Sequence, residues 1–381
     1  MNASPSSWLP SGELFTDSPE NSSEWPWTDG PTDTAWHHHQ TVDPVTYGGY
    51  LASAVYLTIT GLIAFVGNIF AIIVFLTEKE FRKKEHNSFA LNLAIADLSV
   101  CVFAYPSSTI SGYAGEWMLG DVGCTIYGFL CFTFSLTSMV TLCAISVYRY
   151  IVICKPQYAH LLTHRRTNYV ILGIWLYALV FSVPPLFGVN RYTYEPIKVT
   201  CSLDWNVQHV GETIYTAAVI IIVYVLNVSI MCFCYFNIIF KSANLKFAAL
   251  ASEKTRTAAK KDIWKTSMMC LAMVVSFLIA WTPYAVSSTW DILTEEDLPI
   301  IATILPTMFA KSSCMMNPII YSCCNGKFRQ AALKTFSKVG SSNKQNGQAQ
   351  VEPRDPGFAV EPAGHQAFQM RVLPSSSAMT L

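Results

Sequence analysis

The sequence predicts an all-α membrane protein, a bundle of seven transmembrane helices, on two observations. Of its 381 residues, 52% are hydrophobic and 13% are charged, a composition typical of polytopic membrane proteins. It also contains seven apolar runs, each long enough for the roughly 20 residues with which a helix crosses a bilayer. The formal net charge of zero leaves no basic surplus to neutralise phosphates, so we predict no nucleic-acid partner.

Each run is predicted to be helical, because a segment inside a bilayer has to satisfy its backbone hydrogen bonds within itself. The predicted spans are Leu51–Leu76, Ser88–Tyr113, Gly123–Ile153, Asn168–Gly188, Thr213–Phe240, Trp264–Trp290 and Leu298–Ser322. Residues 51–322 therefore form the predicted bundle, which is embedded in the lipid bilayer.

The distribution of basic residues predicts the orientation of the bundle. Lys and Arg collect in the loops after the first, third and fifth spans, which are cytoplasmic by the positive-inside rule. Residues 1–50 contain no Lys or Arg and carry two Asn-x-Ser sequons, at Asn2 and Asn21. We predict that they form an extracellular glycosylated tail. The triplet His37-His38-His39 lacks a second ligand cluster, so no metal site is predicted there.

Two segments follow the seventh span. Residues 323–339 have apolar residues at helical spacing and cationic residues on the other face, which predicts a short amphipathic helix in the cytoplasmic interface. Residues 340–381 are rich in Ser, Gln, Gly and Pro and are predicted to be a disordered cytoplasmic tail.

The twelve cysteines predict one disulfide. Ten of them fall in spans or at cytoplasmic ends, whereas Cys124 and Cys201 face the predicted oxidising side. A bridge between those two is the economical inference, and it would hold the loop between the fourth and fifth spans over the outer mouth of the bundle. Cys323 and Cys324 are either acylated or free interfacial thiols.

Ionisable residues well inside the apolar runs are Asp97 in the second span and Lys311 in the seventh, with Arg149 near the inner end of the third. Such a charge costs roughly 2.5 to 3.5 kcal/mol and indicates function. The ammonium of Lys311 cannot snorkel, since either interface is about 16 to 20 Å away along the helix. It either pairs with Asp97 or is used chemically, and a desolvated lysine amine suits Schiff-base formation with an aldehyde.

Several motifs resemble those of rhodopsin-class G-protein-coupled receptors. They are Gly67-Asn68, Asn92-Leu-Ala-x-Ala-Asp97, Trp175, Trp281-Thr-Pro283 and Asn317-Pro318-x-x-Tyr321. Within that class, a lysine six residues before the Asn-Pro asparagine, as Lys311 is, is similar to the opsin pattern. The resemblance implies retinal, 11-cis or all-trans, bound to Lys311 as a Schiff base. It also implies a heterotrimeric G protein, arrestin and a receptor kinase as partners.

The resemblance also implies a pocket and a counterion. Phe277, Trp281 and Tyr284 lie on one face of the sixth span, either as core packing or as an aromatic wall for a polyene. Tyr127, which we expect to be a residue of the pocket, stands where vertebrate visual opsins have a glutamate, so no carboxylate is available there. The family's other carboxylate corresponds to Glu195, which is either a solvated loop residue or, as we predict, the counterion. Asp97 corresponds to a sodium and water site.

The inner ends of the spans depart from the class in two places. Tyr148 replaces the acid that usually precedes the arginine, which argues against a restraining salt link and predicts either raised dark activity or altered coupling. Asn227 stands where the fifth span often has proline. The residues expected to meet a G protein or to repack on activation are Arg149, Tyr150, Tyr235, Asn317, Pro318 and Tyr321.

Three functions compete at this level. The leading one is a light-activated receptor that is not an enzyme. The second is a retinal photoisomerase, since Cys201-Ser-Leu-Asp-Trp205 is similar to the peropsin and neuropsin side of the family. The third is a receptor for a diffusible ligand, which would leave Lys311 unexplained and has Cys131 where amine receptors place an aspartate.

Overall fold

The computed structural model describes residues 47–206, 209–248, 254–294 and 298–335. The glycosylation predicted at Asn2 and Asn21, the His37-His38-His39 triplet and the tail predicted at 340–381 lie outside these residues.

The described chain is built almost entirely of helices. They are α1 Tyr47–Thr77, α2 Lys79–Arg82, α3 His86–Phe103, α4 Tyr105–Ala114, α5 Gly120–Cys154, α6 His164–Ser182, α7 Val210–Ala218, α8 Leu226–Ala248, α9 Lys254–Leu293 and α10 Ile300–Cys324. Residues 326–335 form α11, where the amphipathic helix was predicted. The first span is α1, the second α3 with α4, the third α5, the fourth α6, the fifth α7 with α8, the sixth α9 and the seventh α10.

Six helical segments of the described chain are both long and apolar enough to cross a membrane, and they correspond to the first six spans. The seventh span is also long enough, at 25 residues, but its polar residues lower its hydropathy. Lys311, Ser312, Ser313 and Asn317 are all buried in the bundle. The polar side chains therefore face protein, and the predicted seven-helix membrane bundle is confirmed.

The second span is broken where the sequence predicted one continuous helix. Its two parts meet at Ala104, just before Tyr105 and Pro106. Because Pro106 has no backbone N–H, it cannot continue the helical hydrogen bonding of the first part.

The fifth span contains a π-helix, Val219–Val225, between α7 and α8. Backbone hydrogen bonds in such a turn run between residues i and i+5 instead of i and i+4. The amide of Asn227 donates to the carbonyl of Val223 at 2.8 Å and to that of Ile222 at 3.3 Å. Asn227 thus stabilises the irregular turn at the position where the class often has proline.

The third span lies at the centre of the bundle, where it packs against the second, fourth, fifth and sixth spans. A two-stranded antiparallel sheet, β1 Tyr192–Tyr194 and β2 Cys201–Leu203, also packs on it. A Cβ at Gly128 of the third span would lie 2.7 Å from the ring of Tyr192, so glycine is needed for this close approach. The sheet was not predicted.

Candidate ligand-binding site

A disulfide fastens the sheet to the third span. Cys124 and Cys201 are bonded, with their Cα atoms 5.5 Å apart, as the sequence predicted. We call this end of the bundle the disulfide end and the opposite one, which carries Arg149, the arginine end. Because Cys201 begins β2, the bond fixes the hairpin across the disulfide end.

An ion pair joins the residue before β1 to the residue after β2. Nε of Arg191 donates to a carboxylate oxygen of Asp204 at 2.8 Å. Burial raises the pKa of Asp204 while the neighbouring guanidinium of Arg191 lowers it, and burial has the larger effect. The amide of Asn190 adds a bond to the carbonyl of Asp204 at 3.1 Å, so both ends of the hairpin are tied together.

A cavity lies directly beneath the hairpin. Its wall includes Lys311, Glu195 and the three predicted aromatic residues Phe277, Trp281 and Tyr284. The remaining lining is mostly apolar and comes mainly from the third and fifth spans and from β2, with further residues of the second, sixth and seventh spans. Because the fifth and the seventh spans both supply walls, the cavity crosses the bundle. Such a shape accommodates a long, apolar ligand.

The side chain of Lys311 is buried, with 8% of the residue exposed. Asp97 is not its partner, because the Asp97 carboxylate accepts from the Ser138 hydroxyl at 2.7 Å and from the Asn317 amide at 2.8 Å. Among the described residues, no carboxylate lies within 4.0 Å of the Lys311 ammonium. Glu195 lines the same cavity as Lys311. The amine is thus available to the cavity.

Glu195 is positioned by the turn of the hairpin. It immediately follows β1, and its N–H donates to the carbonyl of Thr200 at 2.9 Å. The hydroxyl of Thr200 donates to the Glu195 carboxylate. Lys198 has a positive φ of 50° and donates its N–H to the Glu195 carbonyl at 2.7 Å, which closes the turn. Glu195 is 9% exposed, so it is not a solvated loop residue.

The aromatic residues of the sixth span form a continuous wall. Phe277 stacks on Trp281 with 5.6 Å between ring centroids, and Tyr284 meets Trp281 edge-on at 5.9 Å. The indole N–H of Trp205, just after β2, donates to the Tyr284 hydroxyl at 3.0 Å. Tyr127 lies beside the cavity and outside its lining, and its hydroxyl is 2.5 Å from that of Ser108.

One link at the site was missed by the sequence interpretation. The indole N–H of Trp281 donates to the hydroxyl of Ser313 at 3.0 Å, which joins the sixth span to the turn that carries Lys311. The signal was present, since Ser312 and Ser313 are polar residues next to the lysine in an apolar run.

A second cavity, of 640 Å³, opens at the arginine end and is lined in part by Tyr148, Arg149 and Tyr321. The guanidinium carbon of Arg149 lies 5.8 Å from the centroid of the Tyr148 ring, a cation–π contact in place of an ion pair. Within the described chain, Nε of Arg149 and the hydroxyls of Tyr235 and Tyr321 are buried without a hydrogen-bond partner. Tyr150 packs on Phe233, with 5.6 Å between centroids.

Seven spans around a buried lysine, with a disulfide-fastened hairpin over the cavity, form the architecture of a seven-helix membrane receptor. Residues 67–321 match the family described as 7 transmembrane receptor (rhodopsin family). The chain belongs to that family, and to its opsins.

Its relatives include rhodopsins and a peropsin. A G0-coupled rhodopsin of Mizuhopecten yessoensis is 34% identical over 309 residues, which are 79% of this chain and 77% of the relative. The visual pigment-like receptor peropsin of Homo sapiens is 31% identical, over 74% of this chain and 83% of the relative. The crystal structure of squid rhodopsin has a TM-score of 0.72 at 28% identity, covering 82% of this chain and 94% of that one.

Proposed function

We propose that this opsin is a light-activated G-protein-coupled receptor that holds retinal as a Schiff base on Lys311. The observation that carries the proposal is the buried amine of Lys311 in an apolar, aromatic-lined cavity that it shares with Glu195. The residues fit the ligand, since the cavity crosses the bundle and offers one amine, one carboxylate and an aromatic wall to a long polyene aldehyde.

Retinal, when bound, supplies light absorption and a change of shape on isomerisation. The chain supplies the rest of the site. Glu195 provides the negative charge that keeps a positive charge on the Lys311 nitrogen, because an isolated buried cation sheds its proton. Trp281 lies in the cavity wall and donates a hydrogen bond to Ser313, so a change in ligand shape acts on the sixth span two residues before Pro283, a residue type at which helices bend.

The arginine end is proposed to be cytoplasmic, with the N-terminus extracellular, and to bind the G protein. The residues that we assign to this step and to the repacking before it are Arg149, Tyr150, Tyr235, Asn317, Pro318 and Tyr321. Buried polar groups without partners are costly, at about 1 to 3 kcal/mol each. The unpartnered groups of Arg149, Tyr235 and Tyr321 therefore favour a rearrangement that gives them partners.

Spectroscopy tests the proposal. The purified protein is mixed with 11-cis or all-trans retinal, and spectra are recorded in the dark and after illumination. A visible band that changes with light is expected for the wild type, and borohydride reduction should attach the ligand to the peptide that contains Lys311. Lys311→Ala is expected to give free retinal only. A wild-type protein without a pigment would contradict the proposal.

Nucleotide exchange separates a receptor from a photoisomerase. Light-dependent exchange on a purified G protein, such as the G0 class named for the rhodopsin of Mizuhopecten yessoensis, is the expected result. A pigment that isomerises retinal repeatedly but drives no exchange on any G-protein class would favour the isomerase instead.

Replacing Tyr148 with glutamate is expected to lower exchange in the dark by about tenfold, with the light response retained. A carboxylate next to Arg149 would add an ion pair that restrains the resting state, and about 1.4 kcal/mol of such coupling is a factor of ten. Tyr148→Gln is the matched control, because it changes size equally without charge. Equal dark exchange in both variants would show that the charge has no such role.

A further inference from the structure

Four side chains from three other spans donate hydrogen bonds to the turn Lys311–Cys314, which we call the lysine turn. The donor and acceptor pairs are Tyr105 to the Lys311 carbonyl at 2.8 Å, Tyr56 to the Ser312 hydroxyl, Trp281 to the Ser313 hydroxyl at 3.0 Å and Asn68 to the Cys314 carbonyl at 2.9 Å. The donor in the Tyr56 pair follows from the Ser312 proton, which is already given to the Met308 carbonyl at 2.9 Å.

Two of these bonds have local explanations. Pro318 has no N–H, so the Cys314 carbonyl four residues earlier lacks its helical partner, and Asn68 replaces it. The bond from Trp281 belongs to the wall of the cavity. The Lys311 carbonyl is different, because Met315 has an N–H to satisfy it within the helix, and Tyr105 binds its second lone pair.

The first span is shaped to admit the Tyr105 ring. A Cβ at Gly61 would lie 2.6 Å from Cδ1 of Tyr105, so any larger residue there would displace the ring. Tyr105 also stands directly after the break of the second span at Ala104, and it is 4% exposed. The ring does not line the ligand cavity. Its hydrogen bond to the site is therefore made to the main chain of Lys311 and not to the cavity itself.

The geometry points to Tyr105 as a positioning residue for the Lys311 amine. The hydrogen bond from its phenol fixes the rotation of the lysine turn about the axis of the seventh span. Tyr56 adds a second hydrogen bond one residue later. Together they direct the amine into the cavity. The carbonyl carbon and the side chain leave the same Cα, so a constraint on one is a constraint on the direction of the other. The inference rests on the proposed role of Lys311 as the retinal anchor.

The first test uses protein without retinal. The reaction of propanal and cyanoborohydride with Lys311 is followed by mass spectrometry, relative to the exposed Lys155. Tyr105→Phe keeps the ring beside Gly61 and removes only the hydroxyl. We expect it to lower the relative rate at Lys311 about five-fold, the change in population that one ordinary hydrogen bond produces. Gly61→Ala, which displaces the ring, is expected to act in the same direction.

Tyr113→Phe is the matched control. Tyr113 lies on the same helix as Tyr105 and also ties it to the first span, through a contact of 3.0 Å between its hydroxyl and that of Thr58. A merely structural tie predicts that either phenylalanine variant lowers the melting temperature and that neither changes the rate at the amine. Positioning predicts that only Tyr105→Phe changes the rate at Lys311 and, with retinal added, the dark absorbance maximum.

The outcomes separate this inference from the proposed function. Equal labelling of Lys311 in the wild type, Tyr105→Phe and Gly61→Ala would overturn the positioning role, whether or not a pigment forms. Faster labelling in Tyr105→Phe would overturn it as well. A wild-type protein that forms no pigment would remove the proposed function, while the labelling rates would still decide whether Tyr105 aims the amine.

Discussion

Replacing Glu195 with glutamine is expected to move the absorbance of the retinal-bound protein at neutral pH from the visible to the near ultraviolet. At separations of about 4 to 6 Å and an effective dielectric near 20, one carboxylate contributes about 3 to 4 kcal/mol to holding a proton on the Lys311 nitrogen. That is roughly a hundred- to a thousand-fold in the protonation equilibrium. Without it, the nitrogen loses its proton at neutral pH, and the visible band should return as acid is added.

An exposed glutamate at the same end of the bundle supplies the control. Glu116 lies in the loop between the second and third spans, so Glu116→Gln removes the same charge without touching the cavity. Its spectrum and pH titration are expected to match the wild type. If Glu195→Gln titrates like Glu116→Gln, the counterion is not Glu195, and the Thr200 bond to its carboxylate only holds the hairpin turn.

The sequence was sufficient to predict the bundle, the lysine and the disulfide, because each has a strong physical cause. The hydrocarbon core requires long apolar helices, and only a few charges can lie inside it. Lys311 could be singled out because its ammonium is too far from either interface. Cys124 and Cys201 could be paired because the other cysteines fall elsewhere. Each of these arguments depends on position along the chain alone.

The remaining features depend on contacts between distant residues. The π-helix before Asn227 and the bonds from Tyr105 and Trp281 to the lysine turn join different spans or irregular turns, for which hydropathy gives no signal. The hairpin has strands of only three residues, too short for an alternating pattern to stand out. The break in the second span could have been predicted from Pro106, because a proline disfavours the helical conformation of the residue before it.

Loss of the disulfide is expected to have the second large effect. The double variant Cys124→Ala with Cys201→Ala leaves no unpaired thiol of this pair. The bridge closes a segment with a sequence separation of 77 residues. Removing a native disulfide costs about 2 to 5 kcal/mol, which corresponds to a fall in melting temperature on the order of 10 °C. A thermal melt of the protein without retinal measures this.

The same variant also tests whether the disulfide positions the Glu195 carboxylate. Cys201 pairs across the sheet with Tyr194, the residue before Glu195, so the bond that holds β2 on the third span also holds the carboxylate over the cavity. The pigment of the double variant should therefore lose part of its visible band at neutral pH, in the direction of Glu195→Gln. Cys232→Ala with Cys323→Ala, which removes two exposed free thiols, is the control. If the double variant melts at a lower temperature but keeps the full visible band, the disulfide stabilises the bundle without positioning Glu195. The ion pair of Arg191 and Asp204 would then be sufficient to hold the hairpin in place.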